Sequence, residues 1–166
     1  MKFSFKYIAN MNEFDTIDLR LLDALQADAS LSNQDLAARV AVSPATCLRR
    51  VKRLVEVGYI ERRVAILSPD KLGAGLSALL EITLDRQGAE HLDAFEARAV
   101  QEAAVQQCWR VSPGPDFVLV VQVADMPAYH ALTQRLLTQD ANVRNIKAFF
   151  SVKRAKFDTR IGLPSP

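Results

Sequence analysis

Apolar residues recur every three or four positions in three successive segments near the start of the chain, which predicts three short helices. The first helix starts at Asp15 and ends around 28–30. Ser32 is a good helix N-cap with an acid, Asp35, three residues later, so the second helix begins there and stops at 41–42. Two short helices joined by a tight turn, the second one basic, follow the first and form a helix-turn-helix pattern.

The basic helix of this pattern covers 43–54 and begins with an N-cap, Ser43, followed by Pro44 at a position that suits proline. Its predicted apolar stripe consists of Leu48, Val51, Leu54 and Val55. Its polar side carries Thr46, Arg49, Arg50 and Arg53, with Lys52 at the edge. A helix whose apolar side packs on the protein and whose cationic side faces outward can enter a DNA major groove. A solvated surface helix would show the same charges.

A basic extended segment follows this helix. Gly58 is a predicted helix C-cap, and 59–67 is typical of a strand that carries Arg62 and Arg63. A basic strand directly after a recognition helix is the layout of a winged helix-turn-helix, in which these arginines would contact phosphates.

The second half of the chain alternates strands and helices. Turn and breaker residues at 68–73 predict a boundary, after which we expect six elements in the order β-α-β-β-α-β. These are the strand 76–84, the helix 89–104, the strands 105–111 and 117–123, the helix 125–138 and the strand 146–153. This is the order of a ferredoxin-like domain, so the fold class is α+β.

The predicted sheet carries more apolar residues than one layer of helices can cover. One face of the sheet would be left exposed to solvent at Leu79, at Phe149 and along the run 117–123. A second sheet is the simplest cover for this face. We therefore expect at least a homodimer, which would present two recognition helices to half-sites about 34–36 Å apart or a multiple of that.

Composition narrows the functional classes. The 166 residues are 49% hydrophobic and 24% charged, with a net charge of only +2, so the charge distribution says more than the total. Residues 13–35 carry six acids and one base, whereas 49–63 carry six bases and two acids. A local basic patch of this kind suits a phosphate backbone.

Several alternatives find no support in the sequence. Cys47 and Cys108 lack metal or disulfide spacing, and no apolar run is long enough to span a membrane. His91 and His130 are isolated, and no nucleophile set, metal spacing or phosphate-binding loop is present, so no enzyme, metal site or cofactor is predicted. The first ten residues are not typical of a signal peptide, and we expect the native start at Met11.

In their order, these motifs resemble the leucine-responsive regulatory protein (Lrp)/AsnC family of prokaryotic transcription regulators over 14–153. The motifs that carry the resemblance are the following stretches: Ile17-Asp18, Leu31–Val40, the S-P-x-x-C-L-x-R-V-x-R-L run from Ser43, L-x-x-x-G-x-I from Leu54, and Glu81–Leu84. The resemblance implies DNA binding by the first domain. It implies dimerisation and small-ligand sensing, often of an amino acid, by a second domain of the RAM type, with assembly to octamers common.

Candidate DNA contacts follow from the helix-turn-helix. Thr46 and Arg49 lie nearest the helix N-terminus, where base edges are usually reached, and Lys52 is better suited to a phosphate. The full predicted set is Ser43, Ala45, Thr46, Arg49, Arg50, Lys52, Arg53, Arg62 and Arg63. Many family members carry an acid or a polar residue at position 49, so base preference there differs from the family pattern.

Candidate effector contacts follow from the resemblance, which implies a pocket at the loop 112–117, close to the last strand of another subunit. Asp116 matches an acid that could accept the ammonium group of an amino acid. The full predicted set is Gly114, Asp116, Met126, Phe149, Phe150 and Ser151. Pro113 stands at the family's glycine position and Ala148 replaces a common threonine, so two hypotheses stay open: a pocket with altered selectivity, or none. A rigid turn in which Asp116 binds local backbone is the structural alternative.

The predicted organisation is an extension (1–12), a winged helix-turn-helix domain (13–67), a linker (68–75), a sensing and oligomerisation domain (76–154) and a frayed tail (155–166). The predicted function is a sequence-specific, effector-modulated transcription regulator that binds double-stranded DNA in the cytoplasm, at the nucleoid. An effector-independent architectural DNA-binding protein is the first alternative, and a stand-alone ligand sensor is the second.

Overall fold

The computed structural model describes residues 15–73, 75–138, 140 and 142–164, which form two compact units. Described residues up to 66 and from 156 onward form the first unit, and those of 67–155 form the second. The expectations for 1–12, including a start at Met11, lie outside the described residues.

The first unit contains three helices: α1 (Thr16–Ala27), α2 (Asn33–Val40) and α3 (Pro44–Glu56). Each begins at a side chain that accepts backbone N–H groups of the first turn, as the sequence predicts for α2 and α3. The caps are Asp15, Ser32 and Ser43. Between α2 and α3 the chain turns at Ala41, whose φ of +59° is in the left-handed region.

One small apolar core joins the three helices. The predicted stripe of α3 is wrong in part, because Cys47 is buried with Val51 and Leu54, whereas Leu48 and Val55 are exposed. The buried side of α3 is therefore rotated toward position 47, by about one residue. The remaining buried residues are Leu21, Ala24 and Leu25 of α1 and Leu36, Ala37 and Val40 of α2.

The predicted wing strand is not formed. Residues 61–67, all of which the structure describes, form neither helix nor strand and are exposed. Gly58, with a φ of +83°, follows the end of α3, and Ile60 donates its N–H to Leu54. A strand needs a neighbour for its backbone groups, and the described residues of this chain provide none at 61–67.

The tail differs from the frayed segment that we expected. Gln26 of α1 binds the backbone of Ile161 twice, through its amide nitrogen to the carbonyl and through its amide oxygen to the N–H, each at 3.1 Å. Arg160 pairs with Asp23 at 3.1 Å, and Leu163 is half-buried. The described part of the tail is therefore held on the first helix.

The second unit is a four-stranded antiparallel sheet in the order β2-β3-β1-β4, which is ferredoxin-like. The strands are β1 (Leu76–Leu84), β2 (Val105–Arg110), β3 (Phe117–Val123) and β4 (Val143–Phe150). The helices are α4 (Ala89–Ala99) and α5 (Met126–Thr133), which continues as a π-helical turn, Gln134–Thr138. Helix α4 ends five residues before its predicted end, and β4 lies three residues earlier than predicted.

Helices α4 and α5 cover one face of the sheet. Alternate residues of β1 and β3 point into this core, where Phe95 packs on Phe117 with ring centroids 4.8 Å apart. The outer face of β3 is open in the single chain, since its alternate residues, such as Val118 and Val120, are only half-buried. The other face also carries Leu79, Trp109 and Phe149, which are 40–57% exposed.

Candidate DNA interface and effector region

The first half of α3 presents the predicted base-reading residues on one exposed surface. Ser43 caps the helix by accepting the N–H of Thr46 at 3.2 Å, and its hydroxyl also bonds to that of Thr46 at 2.9 Å. Ala45 and Arg49 are exposed beside them. A capped helix end with short side chains and one arginine can approach base edges closely.

Arg50 of α3 is in a different environment. Its side chain is 19% exposed, and one terminal nitrogen, Nη1, bonds to Asp15 at 2.8 Å and to Asp18 at 3.0 Å. Its Nε is buried with no hydrogen-bond partner among the described residues. The hydrogen bond with Asp18 raises the pKa of Arg50, which therefore stays charged.

Asp18 is the centre of a cluster of charges between α1 and α3. Its carboxylate is 1% exposed, accepts the N–H of Asp15 at 3.3 Å, and pairs with both Arg50 and Arg53. We call Asp15, Asp18, Arg50 and Arg53 the α1–α3 ion cluster. The Asp18 N–H bonded to the Asp15 carboxylate, with Arg50 beside it, lowers the pKa of Asp15.

The other predicted DNA contacts are exposed to different degrees. Lys52 lies 3.7 Å from Glu56 one turn later on the helix, and both side chains are largely exposed. Arg62 and Arg63 are exposed on the segment after α3, and Arg53 is 42% exposed despite its pairing with Asp18. The structure thus places the predicted cations on one helix and the segment that follows it, and three of them, Arg50, Lys52 and Arg53, pair with acids.

The sequence interpretation missed the roles of Asp15 and Asp18. Asp18 lies one turn before Leu21 and two turns before Leu25, so an acid interrupts the apolar stripe of α1. An acid at such a position is a signal of a buried ion pair, since a buried carboxylate needs a partner. The two acids are also three residues apart, which is capping-box spacing, and the capping box is formed.

The loop between β2 and β3 is closed by Asp116. The Val111 N–H donates to the Asp116 carbonyl at 3.0 Å, and the Asp116 N–H donates to Ile82 at 2.9 Å. One carboxylate oxygen of Asp116 accepts the Leu84 N–H at 2.7 Å. The carboxylate therefore binds the backbone of β1, 32 positions away in the sequence, and not the local backbone of its own turn.

Gln87 and Gly114 also shape the loop between β2 and β3. The same Asp116 oxygen accepts the side-chain amide of Gln87 at 3.2 Å. Gly114 has a φ of +123°, in the region that favours glycine. The sequence offered no signal for the contact with Gln87, which depends on how β1 ends beside the loop.

The predicted effector residues occur in two groups at opposite ends of the sheet. Gly114 and Asp116 lie at the end of β1 where Ile82 pairs with Phe117. The other group lies where Ala78 pairs with Phe150 and Ser151 donates its N–H to Ser77 at 2.9 Å. At about 3.4 Å per residue, the seven steps from 77 to 84 separate the two groups by roughly 24 Å.

The second group is partly packed. Phe150 contacts Tyr129 of α5 with ring centroids 4.9 Å apart and an interplanar angle of 74°. Met126 at the start of α5 and Phe149 on the outer sheet face are 42% and 51% exposed. A single chain does not bring these residues to Asp116.

Comparison with known proteins identifies both units. The sequence profile of the Lrp/AsnC ligand binding domain matches residues 77–161, and that of a winged helix-turn-helix DNA-binding domain matches 14–61. The chain is 34% identical to the leucine-responsive regulatory protein of Escherichia coli K12 over 149 residues, which cover 90% of this chain and 91% of that protein.

The chain belongs to the Lrp/AsnC family of transcription regulators.

Two further relatives agree with this assignment. The Bkd operon transcriptional regulator of Pseudomonas aeruginosa is 38% identical over 143 residues, 86% of this chain and 94% of the relative. A transcriptional regulator of Neisseria meningitidis, solved as a complex with L-Met, superposes with a TM-score of 0.83 at 29% identity, covering 90% and 96% of the two chains.

As an Lrp/AsnC regulator, the protein has a DNA-binding winged helix-turn-helix and a ligand-binding domain, and its fold class is confirmed as α+β. In the part of the chain that the structure describes, no helix is long and apolar enough to cross a membrane. Among the same residues, no group of three or more His, Cys, Asp and Glu side chains is arranged to hold a metal ion.

Proposed function

We propose that this Lrp/AsnC regulator reads its operator with the N-terminal half of α3. The observation that carries this assignment is the surface formed by the exposed Ala45 and Arg49 and the half-buried Thr46 beside the Ser43 cap. Arg49 is the residue best suited to guanine, and Lys52, Arg53, Arg62 and Arg63 are suited to phosphates. Arg50 is the remaining cation among the DNA contacts that the sequence predicts.

A gel-shift titration tests this function. The probe is a duplex from the region upstream of the protein's own gene, compared with a scrambled duplex of the same composition over a series of salt concentrations. We expect tighter binding to the upstream duplex, and an affinity for both that falls steeply with salt. Equal affinity for both duplexes would contradict sequence-specific regulation.

We also propose that an amino acid is the effector. The match to a ligand-binding domain and the L-Met bound to the Neisseria meningitidis relative support this class of ligand. Because the two groups of predicted contacts lie at opposite ends of the sheet, the site would combine Gly114 and Asp116 of one subunit with Met126, Phe150 and Ser151 of another. Phe149 lies on the outer sheet face, where a second subunit would cover it.

Mixing two variants tests a site shared between subunits. Asp116→Ala and Ser151→Trp should each abolish amino-acid binding in calorimetry. In a mixed dimer, one site carries both changes and the other carries neither, so we expect about half of the sites to bind again. If mixing restores nothing while both homodimers remain folded and dimeric, the shared site is wrong.

The exposed outer sheet face supports a homodimer, with assembly to an octamer as the family resemblance implies. Leu79, Trp109, Val118, Val120 and Phe149 would be covered by the sheet of a second chain. Sedimentation analysis of Phe149→Asp should show a smaller species than the wild-type protein. A DNA-binding regulator would act in the cytoplasm, at the nucleoid, as a regulator and not as an enzyme.

One observation favours the alternative of an effector-independent architectural DNA-binding protein. One carboxylate oxygen of Asp116 accepts both the Leu84 N–H and the Gln87 amide, so part of the hydrogen-bonding capacity of this carboxylate is already used within the chain. Thermal shift across the amino acids separates the two functions, since an effector should raise the unfolding temperature and an architectural protein should not respond.

A further inference from the structure

The α1–α3 ion cluster differs from an ordinary surface ion pair. Its central carboxylate, Asp18, is 1% exposed and lies among the apolar residues of the first unit. Taking a charge out of water is costly, and removing one partner from a buried pair leaves the other uncompensated. The cluster is therefore stable only when the arginines of α3 stay where Asp18 can bind them.

The two arginines occupy one side of α3. Arg50 and Arg53 are three residues apart, which places them one above the other on a helix. One oxygen of Asp18 binds Arg50 and the other binds Arg53, so a single carboxylate holds two successive turns of α3. Such a contact opposes rotation of α3 about its own axis relative to α1.

Rotation of α3 about its axis would disturb base reading directly. Arg49 and Thr46 project from the same helix, and a turn of α3 would move their side chains across the groove floor. Phosphate contacts by Arg62 and Arg63, which lie on the exposed segment after α3, would not depend on this rotation in the same way. The cluster therefore bears on site preference more than on total affinity.

Arg50 itself is directed away from solvent. Its Nη1 is bonded to both acids, and its Nε is buried without a partner among the described residues. To reach a phosphate, Arg50 would have to give up both acids, and one oxygen of the buried Asp18 carboxylate would lose its arginine while the other stayed with Arg53. Arg50 is thus better placed to orient α3 than to touch DNA.

We propose that Asp18, together with Asp15, is a positioning residue for DNA recognition that holds α3 in its reading orientation through Arg50 and Arg53. This inference rests on the proposed function, since it explains how the DNA-binding surface is oriented. It assigns Arg50 a role inside the protein and leaves base reading to Thr46 and Arg49.

The test compares Asp18→Asn with Glu56→Gln. Both remove one negative charge, but Glu56 faces Lys52 and lies outside the ion cluster. Affinities for the upstream duplex and the scrambled duplex are measured at a temperature where circular dichroism shows each variant to be folded. The readout is the ratio of the two affinities.

We expect Asp18→Asn to lower this ratio about tenfold, the scale of one mismatched base pair, while binding to the scrambled duplex is retained. Glu56→Gln should raise both affinities together and leave the ratio unchanged. A folded Asp18→Asn variant with the wild-type ratio would overturn the inference.

Arg50→Met supplies a second test that does not need Asp18→Asn to fold. If Arg50 positions α3, this variant loses site preference without changing the salt dependence of binding. If Arg50 contacts a phosphate, its loss weakens binding to both duplexes by the same factor. The slope of log affinity against log salt concentration then falls in magnitude by about 0.9, which would overturn the inference. Asp15→Asn, at the half-exposed edge of the cluster, should show a smaller loss of site preference than Arg50→Met.

The outcomes also separate this inference from the proposed function. If the wild-type protein shows no preference for the upstream duplex, both fall together. If the wild-type protein prefers it and the Asp18 and Arg50 variants keep that preference, only the inference falls.

Discussion

The recognition helix and the effector region illustrate two ways in which a chain builds a site. The predicted DNA contacts lie on α3 and the segment after it, so local structure alone brings most of them to one surface. The predicted effector contacts come from a loop, a helix and a strand, and the sheet register separates them into two groups. A site within one element is assembled by that element, whereas a site spread over several depends on the fold and on a second chain.

The largest expected effect comes from Arg49→Ala, which tests whether the first half of α3 contacts base edges. Arg49→Ala should cost about 1–3 kcal/mol of binding to the preferred duplex and relax the preference at one base pair, because a bidentate contact to guanine is lost. Gel-shift competition against single-base variants of the duplex measures this change.

The matched control for Arg49 is Lys52→Ala, a change on the same helix that removes a predicted phosphate contact. It should weaken binding to all duplexes by the same factor and reduce the salt dependence of log affinity by about 1. If Arg49→Ala behaves in the same way, Arg49 contacts the backbone, and the base-reading surface lies elsewhere on α3.

The next effect concerns the loop of the effector region. Asp116→Ala removes the acceptor of the Leu84 N–H and should lower the free energy of unfolding by about 1–2 kcal/mol, with or without amino acids. The fluorescence of Trp109, the single tryptophan of the chain, reports unfolding of this unit.

Gly114→Ala provides a comparison within the same loop. It strains a backbone with φ of +123° without removing the Asp116 carboxylate. If Asp116→Ala leaves stability unchanged and abolishes only amino-acid binding, the carboxylate serves the ligand and its contact with Leu84 is incidental.

The smallest effect is a dependence on pH in the second unit. Arg135 pairs with Glu102 through two hydrogen bonds, of 2.6 and 2.7 Å, and its guanidinium lowers the pKa of Glu102 below the ordinary value of 4.5. A lowered folded pKa means that the pair stabilises fully above 4.5, and that this contribution is lost as pH falls through the folded value.

Glu102→Gln should therefore lower stability by about 0.5–1 kcal/mol at neutral pH and less in acid, as followed by denaturation with Trp109 fluorescence. The comparison variant is Glu90→Gln, on an exposed acid of α4 that has no arginine partner among the described residues. If Glu102→Gln lowered the free energy of unfolding equally at all pH values, the charge of Glu102 would not contribute to stability.

Much of the fold was predictable because it depends on local patterns. Helical spacing and caps located α1, α2 and α3, and the apolar run of β3 matched its observed bounds. The errors arose where packing decides: the buried side of α3 includes Cys47 in place of Leu48, and β4 begins three residues earlier than predicted. Periodicity identifies an element, but the neighbouring elements select its buried side and its ends.

The chain by itself determined the order of its helices and of the strands of its sheet, the basic character of α3 and the family to which it belongs, since these follow from residue spacing and motif order. Only the tertiary structure showed that Asp18 binds Arg50 and Arg53 across 32 and 35 positions. The sheet register likewise placed Asp116 and Phe150 at opposite ends. Contacts between distant positions depend on how the helices and strands pack, and no local pattern encodes that packing.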